Sequence, residues 1–352
     1  MPPILLSSRP DFIVDGQPVP DLGQGLQQLE LLETTEGLAR CEVSFSNWGL
    51  RKGLSNYLYF DRRTLEFGKP FQVNFAGAAL FVGRIMGLEA TFADSQTPTI
   101  SVLAEDRFQD LRMTRRTRSF ENISDSELVR QIASDHSLND GVDLAGPTYA
   151  RLTQVNQSDL AFLRERMRSA EAELWIEGTT LHAVPRARRQ AAPLSLALGS
   201  QLHSFTVLAD LAHQRSSVIA TGWNVSAKSP IQCEASDSVI SGELNGDTSG
   251  ATILNSTVGT LKEVIAHAVP STPEEATTIA ESHFKQIARR FLTGRGVADT
   301  QAGLKVGAVV NLANLGPLFS GQYYVTQARH RFDATNGLRT EFTAERPGLG
   351  RP

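Results

Sequence analysis

Ser134, Asp135 and His136 are the residue types of a nucleophile, an orienting carboxylate and a general base. Consecutive residues of a helix point about 100° apart, so these three cannot form the relay that nucleophilic attack requires. The other histidines are scattered, and His203 and His213 lie ten positions apart without acidic pairing, which gives metal ligation no support. Carboxylates are abundant, yet no pair stands out as a general acid and base. HExxH, GxSxG, Walker and GxGxxG sequences are absent, and Gly23-Gln-Gly25 and Gly294-Arg-Gly296 carry no weight alone. No catalytic residue, metal ligand or cofactor site is therefore assigned, and the chain is read as a non-enzyme.

Three basic clusters remain: Arg115, Arg116 and Arg118; Arg164, Arg166 and Arg168; and Arg186, Arg188 and Arg189. Nucleic-acid binding would interleave such patches with exposed aromatics, and only Phe120 is near the first. The net charge of −4 supplies no whole-chain field for nucleic acid or an anionic membrane. Solvated faces or subunit contacts are the expected roles, with Arg115, Arg116, Arg118, Arg186, Arg188 and Arg189 as candidate partner contacts. Trp175 and Trp223 are expected in the core. Cys41 and Cys233, far apart and outside any CxxC pair, read as two buried thiols. The start, MPPILLSSRPDF, lacks a basic and apolar secretion signal, and no window approaches the roughly 18 apolar residues of a membrane span. Synthesis in the cytoplasm is expected, and the Asn-x-Ser/Thr matches at Asn122, Asn156, Asn224 and Asn255 are then chance.

The elements predict a mainly β chain. Asp15-Gly16 between apolar runs predicts a hairpin, and Cys41, Val43 and Phe45, Phe71, Val73 and Phe75, and Ile100, Val102 and Ala104 alternate with polar residues as strands with one buried face do. After Asp106, Ser124 and Glu127 make a capping box before an amphipathic helix to about His136. A second helix begins near Ser158, and Glu177-Gly178 turns a hairpin. Strands return from 194 to 225, the polar stretch 236–260 reads as loop or irregular β, and Thr272, Pro273 and Glu275 open a helix that Gly294 and Gly296 end. Asn336-Gly337 marks a closing hairpin, and PGLGRP a flexible end.

Two stretches read alike. LEFGKPFQVNF, LFVGRI and TISVLAEDR match LKVGAVVNLAN, LFSGQYYV and LRTEFTAER, with Gly68 to Gly83 spanning 15 positions and Gly307 to Gly321 spanning 14. This predicts two similar antiparallel β-barrel domains with a small α+β unit between them. The expected division is 1–105 for the first barrel, completed by 194–225; 106–193 for the α+β insertion; and 226–352 for the second barrel, with a helix at 273–292. Three chains so built would present six near-equivalent units, joining a sixfold assembly to a threefold one.

The central stretch DRFQDLRMTRRTRSFENISDSELVRQIASDHSL and QVNQSDLAFLRERMRSAEAELWIEGTTLHAV resembles the phage late-control D family. These are baseplate hub proteins of contractile tails, similar also to the hub part of VgrG spikes. Asp106, Phe120, Asn122, Gln157, Asp159, Phe162, Leu163 and Trp175 carry that resemblance, and Trp223, Gly321, Tyr324, Val325 and His330 continue it toward the carboxyl end. It implies a homotrimer whose paired barrels form a pseudo-sixfold ring between inner tube and spike, with no catalytic residues, no cofactor, no nucleic acid and no integral membrane contact. Because the sequence stops at Pro352 without a spike, it also implies a separate spike protein, an inner tube or tube-initiator protein and other baseplate components as partners. The alternatives are a tail-associated cell-envelope hydrolase and a stand-alone carbohydrate- or nucleic-acid-binding β-barrel.

Overall fold

The computed structural model describes residues 9–35, 37–51, 53–189 and 193–351. The readings of residues 1–8 and of Pro352 lie outside these. The first part of the chain runs through β1 (Asp11–Val14), β2 (Gln17–Pro18), α1 (Pro20–Gly25), β3 (Leu26–Thr34), β4 (Arg40–Ser46), β5 (Trp48–Arg51), β6 (Leu54–Tyr57), β7 (Pro70–Phe75), β8 (Ala78–Thr91) and β9 (Thr99–Glu105). Asp15 and Gly16 both adopt positive φ, 53° and 74°, which closes the two-residue β1–β2 turn. Cys41, Val43 and Phe45 are buried while their neighbours are not, and Phe12 packs on the rings of Phe45 and Phe71 at 5.0 and 5.9 Å. Each such side chain contributes about 1.5–3 kcal/mol by leaving water.

The inserted unit holds α2 (Phe108–Arg112), β10 (Arg115–Ser124), α3 (Asp125–Asp135), β11 (Asn139–Val142), β12 (Thr148–Ser158), α4 (Asp159–Ser169), β13 (Ala172–Glu177) and β14 (Thr180–Pro185). Ser124 and Glu127 cap α3 reciprocally, as their spacing requires. Leu128, Val129, Ile132 and Ala133 then face a core shared with Leu160, Leu163 and Met167 of α4.

The remainder contains β15 (Leu194–Ala197), β16 (Leu202–Ala209), β17 (Ser217–Asn224), β18 (Ser229–Ser236), β19 (Thr248–Ser249), α5 (Gly250–Thr257), β20 (Lys262–Ile265), α6 (Pro273–Arg289), β21 (Leu292–Asp299), β22 (Val309–Ala313), α7 (Gly316–Phe319), β23 (Gly321–Asp333), β24 (Gly337–Arg346) and β25 (Gly348–Leu349). Thr272 caps α6, whose Ala276, Ala280, Phe284 and Ala288 pack with Val218, Ala220 and Ile231 of the β17–β18 pair.

Several expectations need correction. Helix α6 ends at Arg289, and Gly294 and Gly296 lie inside β21, where a Cβ would fall 2.1 Å from the Phe205 ring and 2.5 Å from the Phe342 ring. The polar stretch 236–260 contains the helix α5, capped by Ser249, and a 3-10 segment at Asp237–Glu243. Strands β15 and β16 pair with β22 and β21, in the second half rather than the first. Gly348–Leu349 is not a loose end but pairs with Thr248–Ser249. Cys233 is only partly buried, and Trp223 is half exposed.

The fold is mainly β, and its largest sheet has thirteen strands. Along one path it runs β16-β21-β24-β23-β3-β4-β9-β8-β7-β1-β2, with β22 beside β23 and β15 beside β22. The two halves therefore share one sheet, joined where β23 meets β3.

Candidate functional site

The arrangement with most to say about function is the repeated β unit and the ways its copies connect. Gly68 N–H donates to Ile85 O at 2.7 Å and Ile85 N–H to Lys69 O at 3.0 Å; Gly307 N–H donates to Val325 O at 3.0 Å and Val325 N–H to Ala308 O at 2.9 Å. Both glycines have positive φ, 77° and 86°. Strand β8 then bulges against β9 between Ile85 and Gly87, and β23 against β24 between Val325 and Gln327. Ala104 and Glu105 occupy the places of Ala344 and Glu345. The correspondence continues outward: β4 lies on β9 as β21 lies on β24, and β3 on β4 has its bulge at Leu26/Gln28 where β16 on β21 has its own at Leu202/Ser204. One sequence correspondence shifts. Gly83 matches Tyr323, two positions beyond Gly321, and the two glycines answer different demands: the Glu105 carbonyl and Phe81 ring crowd Gly83, whereas Gly321 has φ 140° beneath the Arg346 guanidinium.

After its bulge β23 leaves β22 and pairs with β3, from Gln327↔Thr34 to Phe332↔Leu29. On one face of this joint Arg329 and Arg331 approach Glu30 at 3.6 and 3.7 Å. On the other, Phe332 enters the first unit's core and His330 is buried, with Nδ1 2.8 Å from Thr340 Oγ1. Burial lowers the His330 pKa to about 4.

A second knot ties the inserted unit to both halves. Arg189 lies 4.3 Å over the Trp175 ring, donates to Glu173 at 2.9 Å and to Val306 O at 2.8 Å, and approaches Glu33 at 3.7 Å. The Tyr324 hydroxyl donates to the same Glu173, and Arg186 stacks 3.8 Å over the Tyr324 ring while pairing with Glu345 at 2.9 Å. Burial, then Glu173, raises the Tyr324 pKa, so the phenol stays a donor. Arg186 and Arg189 are thus largely buried and spent within the chain; Arg188 is exposed and pairs with Asp143.

Inside the inserted unit, Asp159 opens α4 and is buried. It accepts from Arg118 at 2.8 Å and from Gln154 at 2.9 Å, with His136 Nε2 at 2.8 Å and Arg116 at 3.5 Å. Burial pushes its pKa up, but the bonds from His136 and Gln154 and the two arginines outweigh it, leaving the carboxyl below its ordinary value. His136 therefore serves Asp159, not Ser134. Phe120 and Phe162 stack at 6.0 Å beneath Arg118, and Leu163 is fully buried. Asn122 takes positive φ, 49°, in β10, and Gln157 reaches Glu165 at 2.9 Å. Arg115 is exposed and bonds Asn156 O at 3.1 Å.

Asp106 marks the passage into this unit. Its carboxylate accepts from Ala39 N–H at 2.8 Å and Phe108 N–H at 2.9 Å, and burial still lifts its pKa to about 7. Trp223 stands apart from these knots, on an exposed part of β17. Glu173, Glu33, Gln154 and His136 were not singled out from sequence as network members, because their partners come from distant segments.

The arrangement is one of mutual bracing. Among the described residues no group of three His, Cys, Asp or Glu side chains could hold a metal ion, and no helix is long and apolar enough to cross a membrane.

Residues 74–334, well over half of the chain, match the family described as the Alg8 N-terminal domain. No curated protein matches. Among solved structures, the 43 kDa tail protein of prophage MuSo2 from Shewanella oneidensis is similar with a TM-score of 0.72 at 14% identity, over 96% of this chain and 98% of that one. A tail protein from Neisseria meningitidis MC58 gives 0.67 at 11% identity, over 97% of each chain. The Escherichia coli c3393 protein, a component of the type VI secretion system described as structurally similar to the T4 bacteriophage tail proteins gp27 and gp5, gives 0.55 at 12% identity, over 93% of this chain and 76% of that one. The fold is that of phage tail proteins.

Proposed function

The chain belongs to the family of the Alg8 N-terminal domain; from the fold that it shares with phage tail proteins, we propose that it is a structural hub in the baseplate of a contractile tail or injection machine. The finer reading is a hub of late-control D or VgrG type. Three chains form a pseudo-sixfold ring that joins the sixfold inner tube above to a threefold spike below. The chain is made in the cytoplasm and assembled with tube, spike and other baseplate components; its work is binding, not turnover.

The observation that carries this reading is the repeat within one sheet, with its two bulges and its glycine turns at matching places in both copies. A chain with two like units can meet a sixfold partner with three copies. The division into two β units at 1–105 and 226–352 and an insertion at 106–193 is part of the same proposal, with β15 and β16 moved to the second unit. Arg115 and Arg188 are the exposed members of the arginine set and the ones offered to partners; Arg116, which reaches Asp159, and Arg118, Arg186 and Arg189 act by bracing the units.

Native mass measurement of the purified chain, alone and co-expressed with candidate tube and spike proteins, tests the proposal. Three copies that bind both partners are expected. A chain that stays monomeric at micromolar concentration and binds neither would overturn it.

A further inference from the structure

We propose that the free half of β8 pairs, antiparallel and in one register, with the free edge of β16 in a second copy of this chain. The inference rests on the trimeric reading and adds the contact that closes the ring. Its source is the joint already made inside the chain. Strand β23 pairs with β22 before its bulge and with β3 after it. Strand β8 pairs with β7 before the equivalent bulge, and its residues after the bulge have β9 on one side and, among the described residues, no strand on the other. The counterpart of β3 is β16, which ends the path of the sheet; apart from a bridge from Leu202 to Leu198, only β21 lies beside it among the described residues. One chain therefore carries both halves of a second joint, unable to meet each other along the sheet.

The side chains fit this reading. Ala328, His330 and Phe332 of β23 are buried by the joint, whereas their counterparts Ala90 and Phe92 are exposed and Leu88 is only partly covered. Phe92 is 62% exposed and in the transferred register comes opposite Phe205, while Leu208, 63% exposed, lies on the other face of the same edge. Neither segment carries the lysine or proline that blunts a strand meant to stay unpaired, and the bulges of both strands lie just before them: residues 87–92 read Gly-Leu-Glu-Ala-Thr-Phe and 204–209 read Ser-Phe-Thr-Val-Leu-Ala. Transferring the register of the internal joint places Glu89 opposite Leu208 and Ala90 opposite Val207 of the neighbouring copy. Because the contact uses two different edges it is heterologous, and it closes into a ring when three copies complete the turn.

Cysteine pairs test the register in the full chain carrying Cys233→Ser; Cys41 is buried and stays. Adjacent antiparallel pairs alternate between close and wide spacing, so Glu89→Cys with Leu208→Cys and Ala90→Cys with Val207→Cys are both made. Under copper-catalysed air oxidation at least one should give disulfide-linked dimers and trimers on a non-reducing gel. Glu89→Cys with Val207→Cys, whose side chains would leave opposite faces of the sheet, should give none. A trimer by native mass in which neither matched pair links, or in which the mismatched pair links as well, would overturn the pairing and leave the hub reading standing. A chain that remains monomeric would overturn both.

Discussion

His330 and Asp106 titrate in opposite senses, and replacing either should uncover the other. Burial lowers the His330 pKa from 6.5 to about 4, so the folded chain resists a proton that the unfolded chain accepts. Its contribution is complete above pH 6.5 and is lost as pH falls toward 4. The span is about 2.5 pH units, which at about 1.4 kcal/mol per unit is about 3.5 kcal/mol. Burial raises Asp106 from 3.8 to about 7, so its contribution is complete below pH 3.8 and is lost as pH rises toward 7, by about 4 kcal/mol. Between pH 4 and 6.5 the two slopes oppose, and their joint contribution is nearly flat. Urea unfolding of the wild type and of His330→Gln, at one protein concentration because assembly shifts apparent stability, isolates the histidine. The advantage of the wild type over His330→Gln should shrink by about 2–3 kcal/mol from pH 7 to pH 4.5. An equal advantage at both values would refute the argument that the joint keeps this imidazole neutral.

Asp106→Asn should show the reverse trend: the wild type loses ground to it by about 2–3 kcal/mol between pH 4.5 and pH 7, measured in the same way. Asp159→Ala leaves Arg118 and Gln154 without their buried acceptor and should cost about 3–5 kcal/mol in urea unfolding, while Arg115→Ala, exposed, should stay within about 0.5 kcal/mol. Gly294→Val drives a side chain into the Phe205 ring and should cost at least about 1–3 kcal/mol, seen as a lowered urea midpoint.

Signals written within a few residues were legible. Ser124 with Glu127, Thr272 with Glu275 and Asp15-Gly16 each contain both partners of the local contact they make. The helix α5 was not legible, because its Thr, Ile, Asn and Ser have weak helix propensity and the helix is held by the Ser249 cap and the burial of Ala251 and Leu254. Gly294 and Gly296 sit after a helix and so resemble a stop signal, but the reason for glycine there comes from Phe205 and Phe342, far off in sequence. The arginine clusters likewise looked solvated because Glu33, Glu173, Glu345 and Asp159 approach them only after folding. The repeat itself was visible through its Ala-Glu ends and first glycines. Its second glycine misled by two positions, since Gly83 and Gly321 relieve different contacts.

What the two copies share most closely is where each long strand bulges, and this feature decides what the strand can reach. A bulge adds twist and bends its strand, so β8 and β23 turn away from β7 and β22 while keeping their places on β9 and β24. In β23 the turned half finds β3. Deleting Met86, the extra residue in β8, leaves every remaining pair with β9 opposite the same partner and on the same face, and removes only the bend. The variant should therefore fold with a β-rich circular dichroism spectrum and cooperative urea unfolding yet fail to trimerise, because its free edge no longer meets β16 of the next copy. A Met86 deletion that forms trimers as readily as the wild type would show that the bulge does not aim the strand.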